Sequence, residues 1–334
     1  MPRIPATILT GFLGAGKSTL LRRVLTEIHG QRIAVIENEF GEENIDSEII
    51  FSGGTEHIVK MSNGCICCSI REDLRATLWD LSEQRRTGTL AFDKVIIETT
   101  GLADPGPIAQ TFFLDEAIAA RYQPDAILTM IDAVHAMDQL DARGEARRQV
   151  GFADQLFISK ADLVTPARIE ALSARLSQMN PHAPQSLTPF GTVSLDKVFG
   201  VGGFNLDSQL TFGDETPGHD VLGCADPHHA DAHHHHDDVK SFVFRSPRPL
   251  HAERFSQFMN AVVNSHGARL LRYKGILNIN GHARKVVLQG VHQLMSHDLG
   301  NPWGNDEPRI SKLVFIGIEL PREQLMRSLQ LCLV

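Results

Sequence analysis

The sequence predicts an α/β fold, a largely parallel sheet flanked by helices, followed by a small α+β domain. Three observations point there. Five short apolar runs in the first two hundred residues show no polar alternation. Amphipathic stretches of helical period separate them. After residue 238 the order changes to strands run together between helices. Strands covered on both faces read as unbroken Val/Ile/Leu runs, and strand–helix alternation builds a parallel sheet.

The predicted strands are Ile4–Thr10, Arg32–Asn38, Lys94–Thr100, Ala126–Asp132 and Gln155–Lys160. Between them, Leu20, Leu21, Val24, Leu25 and Ile28 form one helical stripe, and Leu74, Leu78 and Leu81 another. Periodicity fades over residues 200–238, which are rich in Gly, Asp and His. The expected organisation is a nucleotide domain over 1–200, a His-rich flexible linker over 201–238 and an α+β domain over 239–334. In the last unit KSFVFRS reads as a strand. Ala252–Ser265 reads as a helix with Phe255, Phe258, Met259, Val262 and Val263 inward. RLLRYKGILNINGHARKVVLQGV reads as two or three strands turning at INGHARK, and KLVFIGIEL and Arg322–Leu331 as a closing strand and helix.

The 334 residues are 42% hydrophobic and 22% charged, enough for two domains with sizeable cores. A net charge of −8 argues against a broad nucleic-acid or anionic-membrane footprint, so neither is an expected partner. MPRIPATILT lacks an apolar core followed by a small-residue cleavage site, and no apolar run reaches membrane-spanning length. The cytoplasm, where thiols stay reduced, is the expected compartment.

GFLGAGKS (Gly11–Ser18) fits G-x-x-x-x-G-K-[ST] at every position, between a strand and a helix. This puts the first domain in the P-loop NTPase class. Glycines let backbone N–H groups curl round phosphate oxygens, and the helix N-terminus adds a positive dipole end. Gly11, Gly14, Ala15, Gly16, Lys17, Ser18 and Thr19 are the expected nucleotide contacts. Lys17 reaches the β- and γ-phosphates and the Ser18 hydroxyl ligates Mg²⁺. VIIETTG places Glu98 at a strand end, to act on the Mg²⁺ shell or orient the attacking water, and Gly101 where its N–H can sense the γ-phosphate. The bland reading of Glu98 is a surface ion pair. In SKAD (Ser159–Asp162), Asp162 can accept from the two N–H donors of a guanine edge while the Lys160 stem covers the base. The usual guanine motif begins with Asn; Ser159 departs from it. The bland reading is a loop in which Asp162 caps a helix.

NGCICC puts Cys65, Cys67 and Cys68 within four positions of a five-cysteine chain. In a reducing compartment a disulfide is the weaker reading. A redox pair would favour C-x-x-C at a helix start; Cys65 and Cys68 have that spacing, but no thioredoxin-like unit surrounds them. A catalytic thiol needs a base, and His57 is near only in sequence. Thiolates suit Zn²⁺, Co²⁺ and Ni²⁺, and metal binding is the favoured reading. Three thiols on one ion are sterically demanding, so two should dominate, with Cys67 among them. Glu37 or Glu42 of ENEFGE, or water, could complete the set; Glu37 could equally serve Mg²⁺ or the fold. In PHHADAHHHHDD, His228, His229, His233, His234, His235 and His236 form either a solvated spacer or a weak metal collector. Cys224 and Cys332 stand alone.

GFLGAGKST, ENEFGE, NGCICC and IIETTGLADPGP, in this order and spacing, resemble the CobW-type metal-chaperone GTPases, and within them the YjiA subgroup. RLLRYKGIL and VFIGIELP fit that family's C-terminal domain, so the resemblance spans nearly the whole chain apart from the histidine segment. It implies GTP binding with slow hydrolysis, zinc or related transition metals held through the C-x-C-C region, and delivery to a client metalloprotein or a cofactor-biosynthesis enzyme. A homodimer is a further expected assembly. The mechanism expected is a switch: GTP and Mg²⁺ order ENEFGE and NGCICC, and hydrolysis loosens them. Two rivals are a small-molecule P-loop kinase and a zinc-storage protein with a structural nucleotide site.

Overall fold

The computed structural model describes residues 2–27, 30–37, 57–60, 69–189, 192–204, 238–304 and 306–334. Its first unit runs β1 (Ile4–Gly11), α1 (Lys17–Thr26), β2 (Ile33–Glu37), β3 (His57–Lys60), α2 (Ser69–Thr87) and β4 (Lys94–Glu98). It continues with α3 (Gly106–Leu114), α4 (Glu116–Ala119), β5 (Tyr122–Asp132), α5 (Ala136–Ala142), α6 (Gly144–Phe152), β6 (Gln155–Ser159), α7 (Pro166–Met179) and β7 (Gln185–Thr188). The strands form one sheet in the order β3-β2-β4-β1-β5-β6-β7. Every pairing in it is parallel. Strands added after β1 go to one side and those after β4 to the other, so the end of β1 lies at the reversal point where such sheets bind ligands.

Two strands beyond the five expected, β3 and β7, close the edges. The polar QSLT of β7 carries no apolar run to announce it, and short polar strands are what sheet edges tolerate. β5 begins four residues before the expected Ala126. Pro124 lacks the N–H a regular ladder needs, and the pairing with β1 slips there, skipping Asp125. The bulged Asp125 carboxylate instead accepts from Lys94 Nζ at 2.5 Å and from the Gly202 N–H at 3.0 Å.

The second unit comprises β8 (Val239–Ser246), α8 (Ala252–His266), β9 (Leu270–Leu277), β10 (Arg284–Val291), β11 (Leu294–Pro302), β12 (Ser311–Ile318) and α9 (Arg322–Leu331). Its antiparallel sheet has the order β11-β10-β9-β12-β8. The sequence did not announce β11: LMSHDLGNP is polar and largely exposed, an edge strand formed by hairpin pairing to β10. On α8, Phe255, Met259 and Val262 are buried, whereas Phe258 and Val263 sit at the margin.

α6 joins the units. Val239, Leu271, Val291, Val314 and Ile316 of the second sheet belong to the core of the first. At Gly151 an added Cβ would lie 2.8 Å from Leu271 Cδ1 and 3.1 Å from Val239 Cγ1, so a larger residue would require these side chains to shift. Just past α6, Asp154 is buried between Arg272, at 2.8 Å, and Lys274. Arg272 also donates to the Phe152 carbonyl at 2.8 Å and stacks on Phe204 at 4.0 Å, and the Ile127 N–H donates to Asp154 at 2.9 Å. Burial alone would raise the Asp154 carboxyl; the Arg272 and Lys274 charges overturn this and hold it below the usual carboxylate range. His182, beside this cluster, is pushed down to about 4, chiefly by burial and further by Lys274 and Arg245.

Breaking a buried charge cluster on one side leaves uncompensated charge. Asp154→Ala, which strands two cations, is expected to cost about 3–5 kcal/mol in urea unfolding. His182 is neutral in the fold, so its contribution is complete above pH 6.5 and is lost as pH falls toward 4. Between pH 7 and pH 5 the wild type should lose about 2 kcal/mol more stability than His182→Asn, measured by urea unfolding at both values.

Candidate nucleotide and metal site

The residues after β1 wrap into the first turn of α1. Gly14 (φ 73°) and Gly16 (φ 89°) take left-handed conformations that turn the chain back on itself without a Cβ clash. Phe12 is buried, and its N–H donates to the Met130 carbonyl at 3.0 Å, pinning the loop to β5. Lys17 Nζ donates to the Gly11 and Phe12 carbonyls at 3.0 and 3.1 Å. The ammonium is therefore held beneath the loop it must serve. Burial lowers its proton affinity, opposed by the Glu98 charge. Ser18 and Thr19 are exposed at the head of α1, and the Ser18 hydroxyl donates to Glu98 Oε1 at 3.2 Å.

Glu98 ends β4, and its register partner on β2 is Glu37. Two carboxylates on neighbouring strands, about 4.8 Å apart in backbone terms, repel unless a cation lies between or above them. With the Ser18 hydroxyl they make a set of hard oxygen donors, which fits Mg²⁺. Beyond Glu98, Thr99 Oγ1 donates to Thr10 Oγ1 at 2.8 Å, tying the segment to β1. At Gly101 a Cβ would lie 2.6 Å from Leu13 Cα, so this segment rests directly on the phosphate loop. Gln149 of α6, fully buried, holds it from behind by donating to the Ala103 carbonyl at 2.9 Å and to Gly101 at 3.3 Å. The sequence reading missed Gln149, and GEARRQVGF offers no signal that would have found it.

At the other end of the site, Ser159 closes β6. Its hydroxyl lies 2.8 Å from the Ala15 carbonyl and 3.1 Å from that of Ile131 and can donate to either, so residue 159 stitches the SKAD loop to the phosphate loop. Lys160 follows with φ 55°, and a 3₁₀ turn over Ala161–Leu163 carries Asp162, exposed to solvent. Lys160 Nζ donates to Asp132 Oδ2 at 2.7 Å. Asp132 ends β5 and was not singled out from sequence. Its signal was nonetheless available: AILTMID, like VIIE, is a buried run terminated by an acid.

The structure thus brings together Gly11, Gly14, Ala15, Gly16, Lys17, Ser18, Thr19, Glu37, Glu98 and Gly101 at one end of the carboxyl edge, with Lys160 and Asp162 at the other. Glu42, Cys65, Cys67 and Cys68 lie outside the described residues, as do His228, His229, His233, His234, His235 and His236. In chain order the three cysteines fall between Lys60, the last residue of β3, and Ser69, the first of α2. Cys332 is buried, its thiol donating to the Ser328 carbonyl at 3.3 Å and pushed up by burial. Among the described residues, no helix is long and apolar enough to cross a membrane.

Comparison with known proteins agrees with this architecture. Residues 5–186 match the CobW/HypB/UreG nucleotide-binding domain, and residues 239–333 match the cobalamin synthesis protein cobW C-terminal domain. The chain is 40% identical over 325 residues to the zinc chaperone YjiA of Escherichia coli, covering 97% of each chain. It is 31% identical to zinc-regulated GTPase metalloprotein activator 1 of Schizosaccharomyces pombe over 87% of this chain and 76% of that one. The crystal structure of Zn(II)-bound YjiA GTPase from E. coli superposes with a TM-score of 0.80 at 35% identity, over 99% of both chains. A phosphate loop at the sheet's reversal point, a C-terminal antiparallel domain packed on it and near end-to-end similarity lead to one conclusion: the chain belongs to the CobW/HypB/UreG family and carries the CobW C-terminal domain.

Proposed function

We propose that this protein is a GTP-hydrolysing zinc chaperone in which nucleotide state controls the grip on the ion. The observation that carries the reading is the meeting of Lys17, Ser18 and Glu98 at one sheet edge, with Glu37 in register beside Glu98. Its relatives are named zinc chaperones and a zinc-regulated GTPase metalloprotein activator.

In this reading the backbone N–H groups from Gly14 to Thr19 cradle the phosphates, and Lys17 balances charge on the β- and γ-groups. Mg²⁺ held by Ser18, with Glu98 and Glu37 around it, would draw charge off the same oxygens. Glu98 also orients the attacking water, and the Gly101 N–H registers whether the γ-phosphate is present. Asp162 accepts from the guanine edge while Lys160 covers the base. The zinc cargo is held by two or three of Cys65, Cys67 and Cys68, with Glu42 or water completing the set; the same donors admit cobalt and nickel. Glu37 belongs with the Mg²⁺ group in this assignment, because its register partner is Glu98. His228, His229 and His233–His236 act as a weak collector. The recipient is a client metalloprotein or a cofactor-building enzyme.

Chain order supports the coupling of fuel and cargo: β3, the described strand that precedes Cys65, Cys67 and Cys68, ends at the carboxyl edge of the sheet, the edge that carries the phosphate loop.

Zinc titrations with a non-hydrolysable GTP analogue and with GDP should differ in affinity by about tenfold or more, a coupling of about 1.4 kcal/mol that must be reciprocal. Equal affinities would sink the switch. Glu98→Gln should lower kcat about tenfold or more while GTP still binds, as read by single-turnover hydrolysis. In protein lacking residues 227–238, Cys67→Ala should lose its zinc by elemental analysis. Unchanged metal content there would remove the thiol site. Lys17→Ala should abolish metal delivery in cells; delivery that persists would favour storage, and phosphate transfer to an acceptor other than water would favour a kinase.

A further inference from the structure

The SKAD loop contains an arrangement that the phosphate and metal chemistry does not use. Lys160 is a non-glycine residue with φ 55°, a conformation that its neighbours must hold in place. Its carbonyl accepts from the Leu163 N–H at 3.0 Å, and its side chain adds an ionic contact: Lys160 Nζ lies 2.7 Å from Asp132 Oδ2. Asp132 is 1% exposed, at the carboxyl end of β5, and is the register partner of Ser159. Its Oδ1 accepts from the Val134 N–H at 2.9 Å, and His135 Nδ1 lies 3.0 Å from Oδ2. Capping the turn after β5 needs only the Val134 contact, which a neutral Asn could also make. A buried carboxylate is a costlier choice, and what it adds is a charge under the Lys160 ammonium.

The consequence is directional. Lys160 leaves the end of β6, and its ammonium is drawn back toward β5, the strand next to β1. Its methylene stem is thereby drawn from the end of β6 toward the end of β5, on the way to β1, while the side chain stays 37% exposed and open to a ring laid on it. Ser159 spends its hydroxyl on the backbone of Ala15 and Ile131, so an Asn-like side chain reaching for the base is missing at that position.

We propose that Asp132 is a positioning residue for nucleobase recognition: it fixes the Lys160 stem as the surface on which the guanine ring lies. This rests on the reading of Lys160 and Asp162 as the guanine contacts.

The experiment is steady-state hydrolysis of GTP and ATP by the full-length wild type, Asp132→Asn, Lys160→Ala and the double variant, with urea midpoints for each. Asp132→Asn retains the turn contact to the Val134 N–H and removes the carboxylate charge that faces Lys160 and His135. Its KM for GTP should rise about tenfold with kcat within about twofold, and its preference for GTP over ATP should shrink. The double variant should be no worse than Lys160→Ala alone, because both changes remove one device. An unchanged KM in Asp132→Asn, or additive losses in the double variant, would overturn the proposal while leaving the guanine reading intact. A wild type with no preference for GTP over ATP would overturn both. Should Asp132→Asn shift the urea midpoint, isothermal titration with GDP on the folded variant decides: unweakened binding counts against the proposal, and weakening matched by Lys160→Ala supports it.

Discussion

A sheet whose strands all run one way has a single carboxyl edge, and every loop able to do chemistry must leave from it. In this chain that constraint collects Gly11, Glu37, Glu98, Asp132 and Ser159, the last residues of five strands spread over a hundred and fifty positions. The sheet order then sorts them. β2 and β4 bring the acid pair to one side of β1, and β5 and β6 bring Asp132 and Lys160 to the other. In the function proposed above, phosphate and cation chemistry is thus separated from base recognition by the phosphate loop itself. Gly14 and Gly16 in that loop serve its left-handed turns, whereas Gly101 opposite it is a spacing device: a Cβ there would lie 2.6 Å from Leu13 Cα and push its segment off the loop.

The second domain is not a detachable appendage. Its sheet contributes side chains to the first core, and its Arg272 and Lys274 neutralise Asp154 at the end of α6. The same helix holds Gly101 and Ala103 through Gln149. One helix therefore touches the segment that rests on the phosphate loop through Gln149 and the C-terminal domain through Gly151. A buried ion cluster is a weak source of net stability, because desolvation offsets most of the attraction. Here it ties β9 of the second sheet to the chain just past α6 at one buried point.

Legibility from sequence followed burial. The five interior strands and the helices with clear apolar stripes were readable because a covered strand or helix face must be apolar. β3, β7 and β11 were not, because edge strands form through pairing with a neighbour and need no continuous apolar run. The N-terminal extension of β5 was hidden by Pro124, which argues against a strand and is accommodated only by a bulge. Among site residues, Lys17, Ser18 and Glu98 were readable because phosphate chemistry restricts both residue type and spacing. Gln149 and Asp132 act through contacts to residues 46 and 28 positions away, which no local pattern records.

Sequence alone determined the phosphate loop, the thiol cluster, the order of interior strands and helices, and the family, because each is written in local spacing, period or residue type. Tertiary structure decided which acids face each other across β2 and β4, that Ser159 bonds the phosphate loop, that Lys160 is clamped to Asp132, and that one helix serves both domains. Those relations depend on strand order and on which distant atoms share a buried volume. Neither is a property of any short stretch of chain.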